Sequence, residues 1–332
     1  MPAIIFPWAS KFGAGDVCSF NHGQHGDSMN WRGFTDWAKE KPATLHVADF
    51  LGRGRGRLRV LDHLSAPPPA PFKPDLSDWE SQPLAAAWLG HATVLLRIDG
   101  MTILTDPVLS NRVGLGLGLM TGGPRRLVAA ALSVRQLPRI DLILISHAHF
   151  DHLDRPTLVK LPKNVPVIAA HHTGDLIRDL GFKHVTELQW GETTTIEATK
   201  ITAREVRHWG ARTFYDKHRG FNGYLIESAK HRVLFGGDTA YHEHFRDLSQ
   251  IDLAILGIGA YNPYSAAHAC PEQATAMAGH CDAKHILPIH HSTFRLSHEP
   301  LHEPIDRMIA AAGNKVVIRQ VGEVWRETRG SG

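Results

Sequence analysis

Residues 140–154 decide the fold: Ile140-Asp141-Leu142-Ile143-Leu144-Ile145-Ser146-His147-Ala148-His149-Phe150-Asp151-His152-Leu153-Asp154. The first six are nearly all apolar. A short apolar run without alternation predicts a strand buried on both faces. Directly after it come His147, His149, Asp151 and His152. Imidazole nitrogen and carboxylate oxygen are donors that zinc accepts. In an irregular loop at a strand end, side chains so closely spaced can converge on one point. The spacing predicts a metal centre rather than a chance cluster of surface histidines.

One such loop cannot complete two metal shells, so further donors must come from elsewhere. Three candidates stand at or just beyond the ends of other apolar runs. His208 follows residues 201–206, Asp238 follows Val233-Leu234-Phe235-Gly236-Gly237, and His290 follows Ile286-Leu287-Pro288-Ile289. Strand ends are where α/β folds commonly place their sites.

Further strands are predicted on both sides of this stretch. Residues 93–98 and 101–105 flank Asp99-Gly100, a hairpin turn signal. Others are predicted at 165–169, 200–206, 223–227, 232–235, 253–256 and 285–289. Helices are predicted at 173–180, 271–280 and 302–312, and another after Asp154, with Pro156 in its first turn. Strands mixed with helices predict an α/β fold with the sheets inside. Residues 107–137 read as a long loop, apolar and rich in glycine. Such a loop either lines an entry for a greasy substrate or packs as a buried turn.

Composition sets the outer bounds. The chain has 332 residues, 23 of them histidine, and a formal net charge of +3. That charge is too small to argue for nucleic acid. Cys18, Cys270 and Cys281 are far apart and form no CxxC, so no disulfide framework is expected and a reducing compartment fits. No apolar stretch reaches the roughly 18 residues of a spanning helix, and the N-terminus lacks the basic region of a signal peptide. A cytoplasmic protein is expected, with peripheral membrane contact open. Residues 1–80 lack periodicity and carry a basic run at 53–59 and a proline-rich stretch at 66–71. They read as an N-terminal extension wrapped on a catalytic domain at 81–332.

The motifs carry a resemblance. Trp88-Leu89-Gly90-His91-Ala92-Thr93, Leu104-Thr105-Asp106-Pro107, the Ser146–Asp154 words, His208-Trp209, Phe235-Gly236-Gly237-Asp238-Thr239, Ile258-Gly259-Ala260-Tyr261 and Ile289-His290-His291-Ser292-Thr293-Phe294 follow in order. Together they resemble a metallo-β-lactamase-fold hydrolase, and within it the N-acylphosphatidylethanolamine phospholipase D-like branch with its bacterial relatives. The resemblance implies an αββα sandwich of two mixed β-sheets flanked by helices, holding two zinc ions, with iron or manganese as alternatives. His147, His149 and His208 would bind the first ion, Asp151, His152 and His290 the second, and Asp238 would bridge them. The implied reaction is attack of a metal-activated hydroxide on a phosphodiester, with Asp151 orienting it. His268 is implied as a substrate contact or leaving-group acid. Its surroundings depart from the branch pattern: the segment before it is short, and Cys270 stands where Asp or Asn is usual. His91 and Asp106 read as supports of the donors. His171, His172, His242 and His244 read as surface or pocket-rim residues.

Four functions compete. The first is a phosphodiesterase acting on phospholipid-like diesters. The second is a lactonase or another carbonyl-ester or amide hydrolase of the same fold; Asp238 at the bridging place counts against a β-lactamase. Nucleic-acid processing is disfavoured by the modest charge, and a non-catalytic metal module by the complete donor set. A small-molecule or lipid substrate is expected, no nucleic-acid partner, and a homodimer from the relatives.

Overall fold

The computed structural model describes residues 66–327 except 118, 119 and 214. The expectations for Cys18, for the basic run at 53–59 and for most of the N-terminal extension lie outside the described residues. Two mixed sheets make up the body. The first has the order β15-β1-β2-β3-β6-β7-β8, formed by Val324–Arg326, Leu84–Gly90, Thr93–Ile98, Met101–Thr105, Leu142–Ile145, Val167–Ala170 and Val185–Leu188. The second has the order β14-β13-β12-β11-β10-β9, formed by His285–Ile289, Leu253–Gly257, Arg232–Phe235, Gly223–Glu227, Thr199–Arg204 and Thr193–Ile196. Each sheet is antiparallel in one part and parallel in the other. The parallel neighbours are β3-β6-β7-β8 in the first and β12-β13-β14 in the second.

The side-chain period of two explains the layers. In β6, Leu142 and Leu144 face the second sheet and meet Phe235, Ile255 and Ile289 in the central core. Ile143 and Ile145 face outward and meet Leu158 and Ile177. Those two belong to the short helices α1, Arg155–Leu158, and α2, Asp175–Arg178. The second sheet's outer face, with Leu234, Ala254 and Ile286, packs on Met277 of α3, Pro271–His280, and on Met308 of α4, Glu303–Ala312. Residues apolar at every position are thus explained by burial on both faces, and the architecture is the expected αββα sandwich.

The long loop at 107–137 is not featureless. It holds a two-stranded ribbon, β4 at Leu115–Leu117 and β5 at Met120–Gly122, and a single 3-10 turn at Val134–Gln136. Residues 66–80 lie against the body. Trp79 is buried with the outer cluster of the first sheet, and its Nε1 donates to Thr102 Oγ1 at 3.2 Å. Cys281 is buried and free. β14 is an edge strand containing Pro288, and its outer side meets a short parallel bridge from Ile286 to Val316.

Candidate metal centre

The strands that carry the predicted donors end on one rim. β6 runs directly into Ser146 and the His147–His152 loop, β12 leads through Gly236-Gly237 to Asp238, and β14 leads to His290. His208 follows β10 by a few residues. Local backbone conformation fixes two of these approaches. Gly237 has φ +57°, and a Cβ there would stand 2.8 Å from the Ser146 Cβ. His290 takes a left-handed φ of 62°, uncommon for a residue with a side chain. A Cβ on the neighbouring Gly259 would meet the His290 carbonyl at 2.2 Å, so that position requires glycine.

The donors converge. The His149 Nδ1 lies 2.9 Å from His147 Nε2 and 3.3 Å from His208 Nε2. Asp151 Oδ2 lies 3.4 Å from His290 Nε2 and 3.8 Å from His152 Nε2. Asp238 Oδ2 touches both groups: it is 3.0 Å from His152 Nε2, 3.1 Å from His290 Nε2, 3.9 Å from His147 Nε2 and 3.8 Å from His208 Nε2. The seven side chains singled out in the sequence are therefore brought together, within sets of donor atoms less than 4.8 Å apart. His268 joins them, with its Nδ1 3.8 Å from Asp238 Oδ2 and its ring centroid 5.1 Å from that of His208.

The cluster fits a cation on its own chemistry. Nε2 of His152, Nε2 of His290 and Oδ1 of Asp238 are buried and have no hydrogen-bond partner. Buried polar atoms almost always have one. The charges point the same way. Burial keeps His147 neutral well below its ordinary value, with His152, His149 and His208 adding to the effect. Burial likewise pushes His149 down to about 3 and His208 to about 4. Burial acts against charge on His290 as well, but Asp238 and Asp151 hold it up at about 9. Burial would raise Asp238, yet His152 and His290 pull it well below the carboxylate range. Protons gather between two carboxylates, where a divalent cation would displace them.

The supports behind the donors are defined. Asp106, fully buried, accepts from Ser146 N at 2.7 Å, from Ser146 Oγ at 2.5 Å and from His152 Nδ1 at 2.7 Å. Because the Ser146 hydroxyl donates to Asp106, it accepts from His147 Nδ1 at 2.9 Å. One carboxylate thus turns the Nε2 lone pairs of both His147 and His152 toward the centre. His208 Nδ1 donates to the Ala267 carbonyl at 3.0 Å, with the same result. His91 Nε2 donates to Asp151 Oδ2 at 2.8 Å. The His91 backbone is left-handed and is held by Thr293 Oγ1 on its N–H and by Trp88 Nε1 on its carbonyl, each at 2.8 Å.

Other histidines fall elsewhere. His242 is buried against Phe245 and His244, and His171 packs against His172 at a tilt; none of these belongs to a metal-capable group among the described residues. The sequence reading missed Arg212. It follows His208 by four positions and lies over the Phe150 ring at 4.0 Å. No spacing rule marks an arginine that acts on carbonyl groups.

Residues 101–291 match the beta-lactamase superfamily domain family. The chain belongs to that family and is a metal-dependent hydrolase of metallo-β-lactamase fold. It is similar to an uncharacterised protein of Mycobacterium tuberculosis, 33% identical with 76% of this chain and 71% of that one covered. It is also similar to the N-acyl-phosphatidylethanolamine-hydrolyzing phospholipase D 1 of Caenorhabditis elegans, at 28% identity over 73% of this chain and 75% of the relative. Among solved structures, a possible metal-dependent hydrolase from Veillonella parvula superposes with a TM-score of 0.60 at 18% identity, covering 74% of this chain and all of that one (100%). At that identity the match speaks for the fold alone.

Proposed function

We propose that the chain is a binuclear metal-dependent phosphodiesterase acting on phospholipid-like diesters, of phospholipase D type. His147, His149 and His208 would hold one ion, and Asp151, His152 and His290 the other, with Asp238 shared. Zinc suits this donor set, and iron or manganese are accepted by the same residues. The observation that carries the binuclear reading is Asp238, whose Oδ2 stands within 4 Å of nitrogens from both donor groups. Two ions so held would polarise a phosphoryl oxygen and lower the pKa of a shared water. The chain's own residues then set the geometry. Asp106 and Ser146 hold the imidazoles in the donor tautomer, and His91 fixes Asp151, which orients the attacking water. His268 contacts the substrate from the side of the α3 start.

Two observations support the diester. The first is the likeness to the Caenorhabditis elegans phospholipase D over most of both chains. The second is the aromatic border. Trp209 is 44% exposed, with its ring centroid 5.2 Å from that of His149, and Phe221 packs between Trp190 and His208. Such a border suits an apolar part of the substrate. The reading includes a cytoplasmic enzyme, with peripheral contact to a lipid surface and a homodimer. Among the described residues no helix is long and apolar enough to cross a membrane.

The test is an assay of purified protein on a bis-aryl phosphodiester, an acyl-lactone and a β-lactam, with and without chelator. The diester should turn over, stop on chelation and recover with added metal. Turnover of the lactone alone would replace this reading with the carbonyl-hydrolase one. Asp238→Ala should abolish turnover and bring bound metal below about two ions per chain.

A further inference from the structure

We infer that Arg212 is the clasp of the metal loop: a positioning residue that holds His147–His152 in its donor-converging shape and ties that loop to the segment carrying His208. The Arg212 Nη1 donates to two carbonyls, Ala148 at 2.8 Å and Leu153 at 2.9 Å. Ala148 lies between the first two imidazoles, and Leu153 directly follows the last. One nitrogen therefore grips the loop at both feet. The guanidinium also lies over the Phe150 ring at 4.0 Å, in the middle of the same loop. Inside the clasp the loop has two turn bonds of its own, from His152 N and Leu153 N to the His149 carbonyl, at 3.1 and 2.8 Å.

The identity of the residue matters. A planar guanidinium stacks on an aromatic face while its edge donates hydrogen bonds, which an ammonium does not reproduce. Burial lowers the Arg212 pKa to about 10, so the group stays charged at neutral pH. Its route from His208 is also constrained. A Cβ at Gly210 would meet the Arg219 carbonyl at 2.1 Å, so the segment runs flush against that backbone. His208 and Arg212 therefore leave one short, closely packed stretch, one reaching the donor cluster and the other gripping the loop that carries Asp151 and His152.

The test uses Arg212→Ala and Arg212→Lys of the full chain. Its first arm is hydrogen exchange of metal-free protein, read at the His152 and Leu153 amides, and it does not depend on the metal reading above. In Arg212→Ala these amides should exchange at least about 10-fold faster than in the unaltered chain, with β1–β3 unchanged; loss of a hydrogen-bonded restraint of about 1.4 kcal/mol corresponds to that factor. Arg212→Lys should fall between, since its ammonium reaches the carbonyls without the stacking. The second arm rests on the metal reading and measures ion retention against graded chelator. It should show affinity weakened by about 10–100-fold, as for other residues that orient donors. Unchanged exchange at His152 and Leu153 in whichever variant folds would overturn the clasp. So would faster exchange spread evenly over the strands, which marks general destabilisation. An unaltered chain that binds no metal would sink the metal reading and leave the exchange arm to decide the clasp.

Discussion

Asp106 offers no donor atom to the cluster, yet it sets the direction of two that do. Its carboxylate is fully buried, and burial raises its pKa against the pull of His152 and Ser146. Asp106→Asn keeps the shape but replaces one accepting oxygen with a donor, so it can no longer accept from both His152 and Ser146 on that side. Metal affinity should fall about 10–100-fold, read as metal content after dialysis against graded chelator. Unchanged content would remove Asp106 from this role. At this scale the sequence was informative where chemistry is spelled in residue type. The imidazoles and aspartates were legible because few other residues bind metal. Arg212 was not, because its partners are carbonyl groups that every residue carries and only the closed loop brings near.

The loop at 261–272, which carries His268, is tied at both of its ends by one side chain from another element. Arg307 of α4 makes paired hydrogen bonds to Glu272 at 3.0 and 2.6 Å, one to Glu303 at 2.9 Å and one to the Tyr261 hydroxyl at 3.2 Å. Tyr261 and Glu272 are the two feet of that loop, so α3, α4 and the loop are joined at one guanidinium. Arg307→Ala should cost about 1–2 kcal/mol, since the pairs are partly exposed. It should also raise KM for the diester several-fold. Bound metal should change less than in Asp106→Asn, because the loop carries no proposed donor and touches the set through the Ala267 carbonyl at His208. A melting curve, steady-state kinetics and metal content check the three parts.

Elements were legible in proportion to their burial. β2, β3, β11, β12 and β14 match the predicted spans because each is a largely apolar run set off by turn or polar residues, such as Asp99-Gly100 and Gly236-Gly237. β9, Thr-Thr-Thr-Ile, alternates exposed and half-buried at the edge of its sheet, and β8 is only slightly less exposed. Neither has the apolar run that identifies a strand. β15 is three half-buried residues held by β1.

At the scale of the molecule, the two sheets are also pinned at the end away from the metal centre. Asp99, in the β2–β3 turn, accepts from Ser228 Oγ at 2.5 Å, from Lys230 N at 3.1 Å and from His231 Nδ1 at 2.9 Å, all in the β11–β12 turn. Burial would raise the Asp99 pKa, but these partners bring it below its ordinary value of 3.8. A carboxylate with a depressed folded pKa stabilises above its unfolded value, and that contribution is lost as pH falls through the folded one. Asp99→Asn should therefore cost about 1 kcal/mol at neutral pH, after discounting for its solvent exposure. The gap to the unaltered chain should begin to narrow as pH falls below ~4 and close only below the depressed folded pKa. Chemical denaturation followed from pH 7 down to about pH 2 reads both; a gap that does not narrow as pH falls below ~4 would show that the ionised carboxylate is not what joins the turns. The pin was half legible, since Asp99-Gly100 announced the hairpin but nothing in the sequence joined it to residues 228–231.

Pro288 has a consequence for assembly. The face of β14 turned away from β13 lacks one amide proton at Pro288, and the segment at Val316 and Val317 already pairs with it at Ile286. Proline on an outer strand deters the recruitment of a further strand. Continuation of the sheet by a second copy through β14 is therefore disfavoured. Among the described residues, the edges left for strand pairing between copies are β8, β9, β15 and the β4–β5 ribbon, and the same proline disfavours fibre-like stacking along β14.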